Sequence, residues 1–195
     1  MHAPFLTDKS SLRRELRARR RALSATEQRQ AARALALRLA RVTALRLARR
    51  IALYWPMDGE IDPRLLPRAA GFGRHDFYLP VLRPFPALTL GFARWHPGQR
   101  LHRNRFGIPE PRGRTLLPAR SLDALLMPLT GFDAHGNRLG MGGGFYDRTL
   151  AFRRRGKAGP LLVGVAHACQ QVTRLPTAEW DVPASLVVTD RHRFD

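Results

Sequence analysis

Pro128-Leu129-Thr130-Gly131-Phe132-Asp133-Ala134-His135-Gly136-Asn137-Arg138-Leu139-Gly140-Met141-Gly142-Gly143-Gly144-Phe145-Tyr146-Asp147-Arg148 leaves an apolar run at residues 124–128 and enters a helical pattern at residues 147–155. A strand that passes through glycines into a helix is the building unit of α/β folds. Four of the five residues at 140–144 are Gly. Glycine lets successive backbone N–H groups turn toward one centre and lets a phosphate approach without a Cβ in the way, and a following helix adds unpaired donors and its positive dipole end. The stretch therefore reads as a phosphate cradle, in which Arg138 holds a transferring phosphoryl group and Asp147, in the first helical turn, holds hydrated magnesium. Two other glycine motifs are excluded by inspection. The dinucleotide fingerprint needs Gly where Phe145 stands, and the P-loop needs Lys and a hydroxyl residue after its last Gly. A tight strand-to-helix connection with no ligand is the plainer alternative.

Outward from this stretch, short apolar runs bounded by Pro and Gly fall at residues 51–55, 77–82, 88–95, 124–128, 161–166 and 186–189, and read as strands. Those at 124–128 and 161–166 are nearly continuous, as strands covered on both faces require. A three-layer α/β/α sandwich with a mainly parallel central sheet is expected. The Pro-rich loops at 94–121 give no clear elements. Residues 8–50 contain no Gly or Pro and are rich in Arg, Ala and Leu, so two or three helices are expected there. Ser24 with Glu27 is a capping-box pair, which ends one helix near Leu23, starts the next at Ser24 and predicts an N-terminal helical hairpin. Leu12, Leu16 and Leu23 fall near one helical face, as do Leu35, Leu39 and Val42, and the arginines between them read as a solvated face.

A length of 195 residues suits one domain spanning 1–195, and 44% hydrophobic with 25% charged residues are ordinary globular values. Lys and Arg number 34 against 15 Asp and Glu, a formal charge of +19, so anionic partners are expected. Nucleic acid, an anionic membrane face and a phosphate- or carboxylate-bearing small molecule are attracted by the same Coulomb term. Only Lys9 and Lys157 are lysines, which reads as a compositional Arg bias. Cys169 is the sole cysteine, which excludes an intrachain disulfide and favours a reducing, cytoplasmic setting. Residues 1–10 carry no apolar core of a signal peptide, and no run approaches the roughly 20 apolar residues of a membrane span. The histidines show no zinc spacing.

Residues 132–147 resemble the signature of the 5-formyltetrahydrofolate cyclo-ligase (methenyltetrahydrofolate synthetase) family. The resemblance extends to Lys9-Ser10-Ser11-Leu12-Arg13, to Tyr54-Trp55-Pro56-Met57-Asp58-Gly59-Glu60-Ile61-Asp62, to Gly107-Ile108-Pro109-Glu110-Pro111, and to Leu175-Pro176 with Trp180-Asp181, in the family's order. It implies an ATP-dependent ring closure in which the formyl oxygen of 5-formyltetrahydrofolate is phosphorylated and the neighbouring nitrogen then displaces phosphate. By the same resemblance, ATP is bound by Lys9, Ser10, Ser11, Leu12, Arg13, Arg138, Leu139, Gly140, Met141, Gly142, Gly143, Gly144, Phe145 and Tyr146, with Lys9 and Arg138 catalytic. Folate contacts are implied for Trp55, Glu60, Met141, Gly142, Gly143, Gly144 and Phe145, and Mg2+ for Asp147 and Asp181. A monomer with no nucleic-acid or membrane partner is expected.

Each implied role has a plain competitor: Lys9 and Arg13 lie one turn apart on any exposed basic helix, Glu60 beside Gly59 suits a solvated turn, Trp55 suits core packing, and Asp181 suits a turn. Phe145 stands where the family more often has Tyr, and His167 where it often has Phe; neither His167 nor Gln170 is placed in the site. Two other classes remain open on the residues alone. One is a nucleic-acid-binding module built on the Arg-rich helices, which would show salt-dependent RNA affinity without folate-dependent ATP turnover, although no basic-aromatic RNA motif appears. The other is a related ATP-dependent enzyme with a different substrate.

Overall fold

The computed structural model describes residues 8–83, 86–113 and 115–195. Residues 1–7, part of the segment read above as free of a leader, lie outside the described residues. Helices α1 (Lys9–Arg21), α2 (Ala25–Leu39) and α3 (Thr43–Leu47) precede strand β1 (Arg50–Ala52). They are followed by β2 (Asp76–Leu82), β3 (Leu90–Trp95), β4 (Leu101–Arg103), β5 (Pro109–Pro111), β6 (Ala124–Pro128), β7 (Gly131–Phe132), β8 (Arg138–Leu139), helix α4 (Phe145–Thr149), β9 (Leu161–Val165), β10 (Leu186–Val188) and β11 (Arg193–Phe194).

The start of α2 is set as the sequence predicts. Ser24 Oγ accepts from the Glu27 N–H at 3.3 Å, and a Glu27 carboxylate oxygen accepts from the Ser24 N–H at 2.8 Å, a cap contributing about 1 kcal/mol. The two helices do not bury their apolar faces against each other, as a simple hairpin would. Leu12 and Leu16 of α1 pack with Leu139 and Leu175, whereas Ala31, Leu35 and Leu39 of α2 pack on the sheet. α1 is thereby free to lie against the loops rather than the sheet.

Seven strands form one sheet in the order β11-β10-β9-β6-β1-β2-β3. The pairs β10/β9, β9/β6, β6/β1 and β1/β2 are parallel, and β3 and β11 close the edges antiparallel. The period-2 alternation of strands divides the core in two. Ile51, Ala124, Leu126, Val163 and Val188 face α2 and α3, while Ala52, Leu125, Met127, Leu162 and Val187 face the opposite layer. Each fully buried Leu or Val contributes about 1.5–3 kcal/mol. That second layer is built mostly from irregular chain, 3-10 turns and the five-residue α4 rather than long helices.

The chain leaves β1 toward β2 on one side and returns to β6 on the other. The boundary between β1 and β6 is thus the topological switch point, where the loops leaving the strand ends diverge and open a crevice. Those two loops are residues 53–62 and 129–144, the segments that carry the motifs.

Candidate active site

The loop after β1 is braced from several sides. Tyr54 Oη donates to Ile61 O at 2.5 Å across its base. Asp58 adopts the left-handed region, φ 53°, which a short polar residue tolerates better than most. Its carboxylate collects Arg17 Nε at 2.8 Å, Arg20 Nη2 at 2.8 Å and the Arg21 guanidinium, all from α1. Burial opposes ionisation of Asp58, but the bonds from Arg17, Arg21 and Arg20 prevail and hold it below the usual carboxylate range. Arg20 also donates from Nε to Asp58 O at 2.9 Å.

Glu60 accepts from the Met57 N–H at 3.0 Å. Loss of water around it outweighs that bond and the nearby Arg20, and its pKa is pushed up to about 7. Trp55 is half-buried against the core, with the Arg64 guanidinium 3.9 Å over its ring. His167 Nε2 lies 3.2 Å from Gly59 O, and burial lowers its pKa, so a neutral ring donates here. Gln170 accepts the His167 N–H at 2.9 Å and donates to Leu129 O and Thr130 O at 2.7 and 2.9 Å. His167 and Gln170 thereby tie the two loops together.

The loop after β6 starts rigid and ends open. Buried Asp133 accepts from the His135, Asn137 and Leu175 backbone N–H groups and from Asn137 Nδ2, and so fixes the β7–β8 turn. Beyond it, Arg138 donates from Nε to Val182 O at 2.7 Å and pairs with Asp147. Gly142 and Gly144 have φ of 98° and 64°, a region where a side chain is strained. Among the described residues, no protein acceptor takes the N–H groups of Met141, Gly142, Gly143 or Gly144. Unbonded amides on positive-φ glycines form an anion-receiving surface.

The helix expected at residues 147–155 is broken. α4 covers Phe145–Thr149, and a 3-10 segment, Ala151–Arg155, follows after Leu150. Tertiary contacts account for the break: Leu150 is fully buried, and Thr149 Oγ1 donates to Phe145 O at 2.7 Å while accepting the Leu90 N–H at 2.9 Å. With only five residues, α4 supplies little dipole.

α1 lies along both loops. Lys9 Nζ is 3.0 Å from Asp181 Oδ2, Arg13 Nε donates to Gly140 O at 2.8 Å, and Arg20 Nη2 lies 3.7 Å from Met141 Sδ. Lys9, Asp181, Arg138 and Asp147 are thus joined in one chain of contacts, since the Val182 carbonyl that Arg138 holds is next to Asp181, and Arg13 with Gly140 forms a separate pair. Glu60 and Met141 meet through Arg20, and half-buried Tyr146 feels the charges of Glu60 and Arg138, its pKa being raised chiefly by burial. Phe145 takes the edge of Phe106 at 5.9 Å. Four residues from the implied ATP set point elsewhere: Ser10 is exposed and bonded to Asp8, Ser11 faces Arg14 at 3.4 Å, and Leu12 and Leu139 are buried in the apolar cluster under α1.

Arg20 and Asp58 carry no assignment in the sequence reading. Arg20 belongs to the face read as solvated, yet its side chain is 0% exposed. A signal did exist: Leu12, Leu16 and Arg20 are spaced i, i+4, i+8, which places Arg20 on the buried stripe of α1.

A mostly parallel sheet whose glycine-bearing loops leave the strand ends on either side of a topological switch point defines an α/β protein with its crevice at that point. The chain belongs to the 5-formyltetrahydrofolate cyclo-ligase family, whose model matches residues 6–190. It is 43% identical over 176 residues to the 5-formyltetrahydrofolate cyclo-ligase of Escherichia coli (strain K12), covering 89% of this chain and 96% of that one. The enzyme of the same name from Haemophilus influenzae is also 43% identical, over 90% of this chain and 94% of its own. A solved 5,10-methenyltetrahydrofolate synthetase from Aquifex aeolicus superposes with a TM-score of 0.78 at 30% identity, covering 95% of this chain and 91% of its own. One from Mycoplasma pneumoniae, at 24% identity and a TM-score of 0.73, shares the fold.

Proposed function

We infer that the chain is an ATP-dependent enzyme that closes 5-formyltetrahydrofolate to 5,10-methenyltetrahydrofolate, releasing ADP and phosphate. The observation that carries this reading is the family match along nearly the whole chain, coincident with open glycine amides and three converging cationic side chains at the switch point. A formyl oxygen is a poor leaving group. Phosphoryl transfer to it makes a good one, and the adjacent nitrogen can then close the ring as phosphate departs. Such transfer needs positioning and charge neutralisation more than covalent help.

In this reading the amides at 141–144 receive the terminal phosphates, and Lys9 and Arg13 exchange their present partners, Asp181 and Gly140 O, for phosphate oxygens. Arg138, with a side chain 5% exposed, acts on the transferring group, where low dielectric strengthens it. Glu60, when ionised, accepts paired N–H bonds from the pterin edge, and Trp55 lines that side with the ring face that Arg64 leaves open.

For Mg2+, Asp147 and Asp181 offer carboxylates with side chains 27% and 24% exposed, each facing a cation. No group of three or more His, Cys, Asp or Glu gathers among the described residues, so these two fit a magnesium ion only together with nucleotide oxygens, its usual arrangement in phosphoryl-transfer sites. The ion would neutralise charge on the phosphates. No helix among the described residues is long and apolar enough to cross a membrane; a cytoplasmic, monomeric protein of one domain, with no nucleic-acid partner, completes the reading. Purified protein mixed with ATP, magnesium and 5-formyltetrahydrofolate should develop the near-ultraviolet absorption of the methenyl product. No absorbance change under saturating substrates would reject it.

A further inference from the structure

We propose that Arg20 is a positioning residue for folate binding, its buried guanidinium holding the Glu60 carboxylate in the pose and charge state that accepts the substrate. This rests on the reading of Glu60 as a folate contact. Four observations carry it.

Arg20 is the arginine of α1 that is fully buried, while its neighbours Arg19 and Arg21 keep side chains 46% and 54% exposed. Burying a guanidinium is costly, and natural chains tolerate it where the charge is used. Its fork is held from one side: Nε donates to Asp58 O at 2.9 Å and Nη2 to Asp58 Oδ2 at 2.8 Å. That leaves Nη1, a buried donor with no hydrogen-bond partner among the described residues, 3.9 Å from Glu60 Oε1. Nη2 also lies 3.7 Å from Met141 Sδ, so the same group touches the glycine loop.

Asp58 does not consume the whole Arg20 charge, because Arg17 and Arg21 also pair with it. The surplus is directed at Glu60, whose remaining donor is the Met57 N–H. The other charged or titratable groups around Glu60 are Arg17 from α1, Asp58 and Asp62 from its own loop, Arg29 from α2, Arg64 across the adjoining cavity of about 290 Å3, Tyr54 at the end of β1 and Tyr146 of α4. Among them Arg20 is the cation whose effect on Glu60 is largest. Burial alone drives the carboxyl toward its neutral form, which turns one of its two oxygens into an O–H donor and so spoils paired acceptance of two N–H groups. Arg20 counters that, and a shift of one unit or more is the usual effect of a unit charge within about 4–6 Å.

The test is the Michaelis constant for 5-formyltetrahydrofolate as a function of pH, at saturating ATP, in wild type, Arg20→Met, Arg20→Lys and Glu60→Gln. In wild type the constant should rise on the acid side of about pH 7. In Arg20→Met the midpoint of that rise should move up by about one pH unit or more, with turnover at saturating folate little changed. Arg20→Lys keeps the charge and should restore the wild-type midpoint. Because Asp58 keeps Arg17 and Arg21, the neutral variants should fold; if Arg20→Met does not, Arg20→Gln replaces it. Equal weakening at every pH in the Met (or Gln) and Lys variants would reduce Arg20 to scaffolding and overturn the proposal. Failure of the Glu60 reading looks different: Glu60→Gln would then leave both the constant and its pH dependence as in wild type.

Discussion

The loops on the two sides of the switch point are built on opposite principles. Residues 53–62 are tied down by Tyr54, by three arginines on Asp58 and by His167 on Gly59. Residues 141–144 are exposed or half-exposed, take positive φ at Gly142 and Gly144 and leave their amides unbonded among the described residues. A rigid planar ring is best met by a preorganised wall, and a flexible, hydrated triphosphate by amides that can still turn toward it. On the proposed reading loop order tracks ligand type, and breaking the arginine clasp of the braced loop should cost stability while changes in the open loop should cost nucleotide handling.

The largest loss of stability is expected on the braced side. Asp58→Ala strands the buried Arg20 guanidinium and should cost about 3 kcal/mol, lowering the melting temperature by roughly 6–12 °C. A calorimetric scan showing no loss would mean the arginine clasp is not a stabilising element. Next is Arg138→Ala, which should reduce kcat by about 10²–10³ while folate affinity moves little, as for a contact made in the transition state. Steady-state kinetics with a folate titration separates the two, and near-normal turnover removes Arg138 from the mechanism.

Glu60→Gln connects the two regions through pH. The native pKa of Glu60, about 7, exceeds that of an unfolded carboxyl, so wild type binds the extra proton only when folded and loses stability as pH rises from about 4.3 to 7. The Gln variant lacks that loss. It should gain on the order of 3–4 kcal/mol relative to wild type above pH 7 and nothing below about pH 4, measured by urea unfolding across that range. The smallest change belongs to the open loop: Gly142→Ala forces a Cβ into φ 98° at about 1–2 kcal/mol and should raise the Michaelis constant for ATP several-fold.

Much of this organisation is legible in the residues themselves. Continuous apolar runs such as Ala124–Pro128 and Leu161–Val165 locate strands buried on both faces, and the Ser24/Glu27 pair locates the start of α2, because these signals depend on neighbours in sequence. The glycine run is legible for the same reason. What escapes is set by tertiary contacts. Thr149 and Leu150 end α4 by bonding and packing against β3 and the core, so the longer helix does not form. Arg20 hides among arginines of identical chemistry, distinguishable only by its spacing from Leu12 and Leu16, and Asp58 acquires meaning only when α1 closes over it.

A structure of the protein with a nonhydrolysable ATP analogue and 5-formyltetrahydrofolate tests the account most directly. The terminal phosphates should lie against the amides of Met141 to Gly144, within reach of Lys9, Arg13 and Arg138, with the pterin edge on Glu60. A triphosphate bound elsewhere, for instance in the cavity of about 400 Å3 between His75 and Trp95, would contradict it.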